Sequence, residues 1–318
     1  MNELAGIVHY LAIALTVSLN SAGTGIAQGI ASGAAIKAMD IQPSAKENIT
    51  KTAVLSAAFM EGASIVGVVI AIMLFMDTNV TQNPIFTDLA KIGIIAAICL
   101  PGLAVSLSSA IPVKQTVFAL ARQPFFSQKI TQLMILTLSI IQTPLILGFI
   151  VAMFIKNQAP VAMTLSDSFR LMGSGLCIGI GSIGPAIGLA LFAATALQGL
   201  GVNRAASNKI LTFTFISQAI IETPVIFSLV IALALLLTGT PVDLVKGVAL
   251  LGAGLCMGLG TITPGISSGR TAAAACKQIA LNPANYDLLS KTSIFAQGVI
   301  DTSAVYALLI AVVLIFMM

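Results

Sequence analysis

The sequence contains no tryptophan, a single histidine and very little charge: 15 basic and 11 acidic side chains, 8% of a 318-residue chain. Soluble domains are about a quarter charged. A surface this poor in charge excludes a soluble enzyme, a nucleic-acid binder and a secreted scaffold. The four cysteines (Cys99, Cys177, Cys256 and Cys276) lack CxxC or Cys/His spacing, so neither a zinc site nor a disulfide framework is indicated. No cofactor and no nucleic-acid partner are expected, since the net charge is only +4 and its bases are segregated into alternate connections. What the chain has in excess is apolar matter, 58% of residues with a mean hydropathy of +1.04. An all-α integral membrane protein, embedded in lipid, is the class that remains.

A helix crosses a bilayer with about 20 apolar residues. Apolar stretches between charges run over roughly 4–36, 52–76, 92–113, 130–155, 171–203, 210–242, 247–269 and 292–318. Eight spans are therefore predicted, with both termini on one side. The first stretch outruns a signal-peptide core and has no basic start, so it reads as a span. The connections after spans 1, 3, 5 and 7 carry 11 of the 15 bases: Lys37, Lys46, Lys51, Lys114, Arg122, Lys129, Arg204, Lys209, Arg270, Lys277 and Lys291. The termini and the other connections carry Lys91, Lys156, Arg170 and Lys246 with Glu3, Asp77, Asp88, Asp167 and Asp243. The positive-inside rule then places the first set in the cytoplasm and both termini outside. A lone His9 near the outer end of span 1 reads as an interfacial residue. Pro144, Pro185, Pro224 and Pro264 are expected to kink or loosen their helices.

The chain repeats itself four times, over 1–80, 81–160, 161–240 and 241–318. The second helix of each pair carries one polar residue at the same depth, Glu61, Gln142, Glu222 and Asp301, separated by 81, 80 and 79 positions. A turn precedes each: Ile41-Gln42-Pro43, Arg122-Gln123-Pro124 and Leu281-Asn282-Pro283, with Arg204 where the third proline would fall. The first helices are rich in small residues, as in Gly23, Gly25, Ala27, Gly29, Ala31 and Gly33 or Gly175-Leu176-Cys177-Ile178-Gly179-Ile180-Gly181. Small residues let helix backbones approach where the solvent is lipid. Their confinement to one helix of each hairpin predicts an inner, tightly packed layer and an outer layer, arranged as an arc or ring. Gly179-Ile180-Gly181-Ser182-Ile183-Gly184 fits a dinucleotide fingerprint by letters alone; it lies in an apolar helix without a βαβ setting and is discarded.

Asp301 stands ten residues after Lys291, about 15 Å along a helix, and Glu61 and Glu222 follow similar counts from Lys51 and Lys209. An acid at that depth costs at least about 2.5–3.5 kcal/mol. Burial in apolar surroundings favours the neutral carboxyl until a cation arrives. Three such groups at equivalent positions can load and unload protons, or hold a small cation where neutral oxygens help.

These hairpins resemble the membrane-rotor proteolipid of rotary ATPases, the c-type rotor component of F-type and V/A-type enzymes, over essentially the whole chain. The resemblance rests on the small-residue inner helices, the Ala121-Arg122-Gln123-Pro124 turn and the mid-membrane Glu61, Glu222 and Asp301. It implies that several chains close into a homo-oligomeric ring in a membrane, for which a bacterial plasma membrane is expected. The acids would pass a stator subunit with an essential arginine. Gln42, Pro43, Arg122, Gln123, Pro124, Asn282 and Pro283 would face the central stalk of the soluble ATPase head. The chain itself would be a non-catalytic subunit.

Gln142, followed by Thr143, departs from the pattern: an amide does not load a proton at neutral pH, so hairpin 2 should be an inert spacer. Fewer ions per turn suits a pump better than a synthase. Whether H+ or Na+ is carried turns on neutral oxygens. The sodium-type members of the resembled family imply three partners. The inner-helix glutamine is matched by Gln28, against Ser109, Leu189 and Ser268 in the other repeats. The hydroxyl after the acid is matched by Thr143, Thr223 and Thr302 but not by Gly62, and the glutamine four residues before it only by Gln218 and Gln297. Ser303 and Tyr306 add oxygens in repeat 4. No single repeat holds the full set, which favours protons. The rival reading is a self-contained, cation-coupled secondary transporter with parallel repeats; the spans lack a substrate-sized polar cluster.

Overall fold

The computed structural model describes residues 2–76, 84–241 and 243–317. Asp77 and Val242, which fall in the outer connections, lie outside the described residues. Those residues form long helices: α1 (Asn2–Ile41), α2 (Lys46–Phe75), α3 (Pro84–Arg122), α4 (Ser127–Ile141), α5 (Thr143–Gln158), α6 (Leu165–Gly181), α7 (Ile183–Val202), α8 (Ser207–Leu237), α9 (Leu244–Leu281) and α10 (Tyr286–Phe316). With α4–α5 and α6–α7 each forming one interrupted span, eight helices among the described residues are long and apolar enough to cross a membrane. One-turn 3₁₀ segments at Pro43–Ala45, Pro124–Phe126, Arg204–Ala206 and Pro283–Asn285 close the four hairpins.

The two interruptions have a local cause. Pro144 and Pro185 have no amide hydrogen, and the helix gives way just before them, at Gln142 and Ser182. The carbonyl of Gly181, which Pro185 cannot serve, accepts instead from the Thr261 hydroxyl of α9 at 3.4 Å. Pro224 and Pro264 do not interrupt α8 and α9. The expected loosening is confined to the first two sites.

The small-residue helices form the inner layer. α1 packs on α3, α3 on α6 and α7, and these on α9. The contacts are backbone on backbone. A methyl group at Gly175 would meet the Gly93 carbonyl, one at Gly254 the Gly173 carbonyl, and one at Gly269 the Gly188 carbonyl. α2, α4–α5, α8 and α10 lie outside. The first three each pack against their own inner helix and that of the following hairpin. The arc has two open edges. In the most apolar stretch of Leu165–Val202, 72% of residues are buried, against 22% in Pro283–Phe316.

Many of the charges that sequence reasoning placed in connections lie within helices, and four of them are buried. Asp88 and Lys91 lie within α3, and Asp167 and Arg170 within α6; all four are buried. Each pair sits one turn apart, with Lys91 Nζ 2.6 Å from Asp88 and Arg170 Nε 3.9 Å from Asp167. His9, at the same end, has its Nδ1 2.9 Å from Lys91 Nζ. Arg170 donates to the carbonyls of Leu235, Leu236 and Thr238 at 3.0–3.2 Å, which caps the end of α8. Inner helices of 38–40 residues reach nearly 60 Å at 1.5 Å per residue, so these helix starts project past the hydrocarbon. Charge-bounded apolar stretches underestimate such helices at both ends.

Gly188→Val should lower stability by about 1–3 kcal/mol, the usual cost of overpacking, because its methyl groups would strike the Gly265 carbonyl. Gly252→Val, which meets open space, should change little. Thermal unfolding of the two variants in mild detergent measures the contrast.

Candidate functional site

The inner layer fixes the phase of the outer helices, and that phase sets the four equivalent polar residues. Glu61 lies in α2, Gln142 at the α4–α5 break, Glu222 in α8 and Asp301 in α10. Their surroundings differ. Glu61 is exposed, Glu222 half-buried and Asp301 only 8% exposed.

In hairpin 1, Gln28 Nε2 donates to Glu61 Oε1 and to the Ala57 carbonyl, both at 3.2 Å. In hairpin 4, the Ser268 hydroxyl donates to Asp301 Oδ1 at 3.1 Å. Gln28 and Ser268 both stand 15 residues before the turn proline, so the same inner-helix position supplies the donor in two chemistries. Ser109, at that position in hairpin 2, bonds to its own helix through the Val105 carbonyl. In hairpin 3 the position is Leu189, and Thr143 of hairpin 2 lies beside the Glu222 carboxyl. The site of one hairpin is thus partly built by the hairpin before it.

Gln142 does not point into a site of its own. Its Nε2 donates to the Phe59 carbonyl of α2 at 2.9 Å, two residues from Glu61. Gln297 Nε2 donates to Ser217 of α8 at 3.3 Å and to Ser293 at 3.1 Å, while its Oε1 is buried without a partner. Gln218 is fully buried with neither amide atom partnered. Thr223, Thr302 and Ser303 bond to carbonyls of their own helices. Thr302, Ser303 and Tyr306 are exposed along α10, at the open edge, and do not meet Asp301.

The four turns gather at one end, and those of hairpins 2, 3 and 4 are laced sideways. Arg204 Nε donates to Gln123 Oε1 at 2.5 Å, Asn203 Nδ2 to the Ala280 carbonyl at 2.9 Å, and Lys209 Nζ to the Pro283 carbonyl at 2.8 Å. Gln42 bonds to Ser44 within its own turn at 2.8 Å. Arg122 and Asn282 are exposed, and Pro43 is exposed beside the half-buried Gln42; Pro124 and Pro283 are half-buried.

Two features escaped the sequence reading. Ser217 as partner of Gln297 had a signal, because Ser56, Thr137 and Ser217 recur five residues before the site position. The reach of Gln142 to Phe59 had none, because it depends on the closeness of α2 and the α4–α5 break. A further regularity appears once the geometry is known. Each hairpin with an acid has one glutamine beside it, Gln28, Gln218 or Gln297, and hairpin 2 has Ser109 and Leu138 in those places.

The family model for the C subunit of ATP synthase matches residues 11–74, 172–235 and 251–314, that is, hairpins 1, 3 and 4. The ATP synthase c subunit of Thermosynechococcus vestitus is 47% identical over 74 residues, 23% of this chain and 90% of that protein. The proteins of the same name from Synechococcus sp. and Microcystis aeruginosa are each 43% identical over 74 residues, again 23% of this chain and 90–91% of theirs. One hairpin here corresponds to nearly a whole relative.

Thr143→Val should speed carbodiimide modification of Glu222, since it removes the hydroxyl that stands beside the carboxyl the reagent must reach, and leave Asp301 unchanged. Peptide mass spectrometry after timed labelling reads both residues; an unaltered Glu222 rate would show that the cross-hairpin contact does not form.

Proposed function

This chain belongs to the ATP synthase C-subunit family, and from that premise we propose that copies of it close into a rotor ring that carries ions on Glu61, Glu222 and Asp301. The ions pass a stator subunit with an essential arginine, and rotation couples to ATP turnover in a soluble head docked on the four turns. The observation that carries the reading is the common register: three acids, at one depth on the outer layer, each supported by a polar group from an adjacent helix.

The open edges support ring closure. Within the chain, the residue after the hairpin 2 site (Thr143) serves the acid of hairpin 3. Continued past α10, the same register brings Thr302, with Ser303 and Tyr306 beside it, to Glu61 of the next copy. The exposure of all three residues fits that role.

We take the ion to be H+. Glu222 and Asp301 each meet one hydroxyl in their own chain, enough for a protonated carboxyl and few oxygens for Na+, which needs several around it. Gln142 carries nothing, so each chain moves three ions for four hairpins. That gearing delivers fewer ions per ATP and suits pumping against a steep gradient. The concentration of basic residues at the turn end supports cytoplasmic turns, with both termini on the other side.

In the intact ATPase, Glu222→Gln should abolish ion-coupled ATP turnover while leaving the mass of the assembled ring unchanged. Undiminished coupling would remove Glu222 from the mechanism. Wild-type pumping should persist without sodium, and a strict sodium requirement would overturn the choice of proton.

A further inference from the structure

The surroundings of Asp301 draw on three helices. Ser268 of α9 donates to Asp301 Oδ1 at 3.1 Å. One turn before the acid, on α10 itself, stands Gln297, fully buried. Residues four apart share one face of a helix, with about 5–6 Å between Cβ atoms, so the amide and the carboxyl are neighbours. The amide is held by its nitrogen. Nε2 donates to the Ser293 hydroxyl of α10 at 3.1 Å and to the Ser217 hydroxyl of α8 at 3.3 Å. A side-chain amide has two hydrogens, and both are thereby engaged. Oε1 is left buried and without a partner. A buried acceptor that never meets a donor is costly, so a donor is expected in some state of the site.

The carboxyl supplies that donor when it is loaded. A neutral carboxyl has one O–H and an ionised one has none. With the Ser268 hydroxyl on Oδ1, a proton on Oδ2 needs an acceptor, and Gln297 Oε1 is the unengaged acceptor one turn away. An empty, ionised Asp301 would instead set its charge against the amide oxygen. Hairpin 3 shows that the glutamine alone does not make this arrangement. Gln218, four residues before Glu222, is fully buried with neither amide atom partnered. The positions equivalent to Ser217 and Ser293 are Thr137 and Thr214 there. Each donates its hydroxyl to its own helix, at the Met134 and Ile210 carbonyls. Hairpins 1 and 2 have Ala57 and Leu138 in place of the glutamine. The oriented amide belongs to hairpin 4, and a serine of the preceding hairpin completes it.

We propose that Ser217 is a positioning residue for the ion site of hairpin 4: from the neighbouring outer helix it turns the Gln297 amide so that its oxygen accepts the proton of the loaded Asp301 carboxyl. The proposal rests on the reading of the ion as H+ given above. Ser217 touches neither the carboxyl nor its proton and acts through the amide alone. The arrangement favours the loaded acid over the empty one, and it sets Asp301 apart from Glu61 and Glu222, which have no amide held in this way.

The test is infrared spectroscopy of the full-length protein in dodecyl maltoside at acidic pH. Each spectrum is read against the same variant carrying Asp301→Asn, which isolates the C=O band of the neutral Asp301 carboxyl. A carboxyl whose hydrogen loses its acceptor absorbs at higher wavenumber. Gln297→Leu and Ser217→Ala should each shift the band upward, and Ser217→Thr, which keeps the hydroxyl, should leave it in place. In the Gln297→Leu background Ser217→Ala should add nothing, the non-additivity of a residue that acts through another. Thr137→Ala, at the equivalent place in hairpin 2, should not move the band. An unmoved band in Ser217→Ala, or the same further shift in the Gln297→Leu background, would overturn the proposal. Should Gln297→Leu not fold, the contrast between Ser217→Ala and Ser217→Thr decides alone. Sodium added to the wild type at neutral pH scores the ion separately: loss of the Asp301 band would sink the proton reading and leave the serine comparison at acidic pH standing.

Discussion

Inner helices that touch through their backbones set the geometry of everything outside them. Where Gly175 lies on Gly93, Gly254 on Gly173 and Gly269 on Gly188, there is no side chain to compress or rotate. Lipid offers little hydrophobic drive for helix association, so close van der Waals packing must supply it. Glycine permits that packing at the shortest axial distance. The consequence is a stiff arc in which each hairpin takes a fixed rotation relative to the one before. The outer helices then settle into the grooves the inner layer leaves, and the site residues inherit their depth and direction from that placement.

That inheritance explains why one site position is served by such different partners. At the level of the acids the inner helix presents Gln28, Ser109, Leu189 or Ser268. Where it presents an amide or hydroxyl facing an acid, the acid uses it, as Glu61 and Asp301 do. Where it presents leucine, Glu222 draws on Thr143 from the neighbouring hairpin. The scaffold holds the carboxyl in place, and the local sequence decides which direction its hydrogen bond comes from. Gln218 and Gln297, buried one turn away with unpartnered carbonyl oxygens, add polar capacity beside the two acids that lack an inner-helix glutamine.

Much of this was legible in the sequence because lipid reduces the alphabet. A polar residue in an apolar span stands out, and its recurrence at 81, 80 and 79 positions exposed both the repeat and the site. The helix ends were not legible. Sequence reasoning treats Asp88, Lys91, Asp167 and Arg170 as markers of a connection, yet each acid neutralises a base one turn on, and Arg170 closes the carbonyls of α8. Charges paired along a helix, as these are, mark no boundary, and their pairing is a property of the fold. The proline positions teach the same lesson. Pro185 interrupts its span and Pro224 does not, so proline alone does not decide where a helix gives way.

Gln142 shows how far a lost acid can be absorbed by the structure. Its amide hydrogen meets the Phe59 carbonyl, and its oxygen lies near Gly62, where an added methyl group would make only ordinary contact with it, at 3.7 Å. An ionised carboxylate in that place would have no hydrogen to donate and would set negative charge against a carbonyl oxygen beside Glu61. The amide replaces that repulsion with a hydrogen bond between two outer helices, in surroundings where an unmade bond is costly. At the position where the other hairpins carry an acid, hairpin 2 thus carries a stitch to hairpin 1. The amide at 142 and the Phe59 carbonyl belong together: an acid at 142 would meet the carbonyl without a donor. Reverting position 142 alone would restore a carboxyl without restoring the surroundings that make one useful.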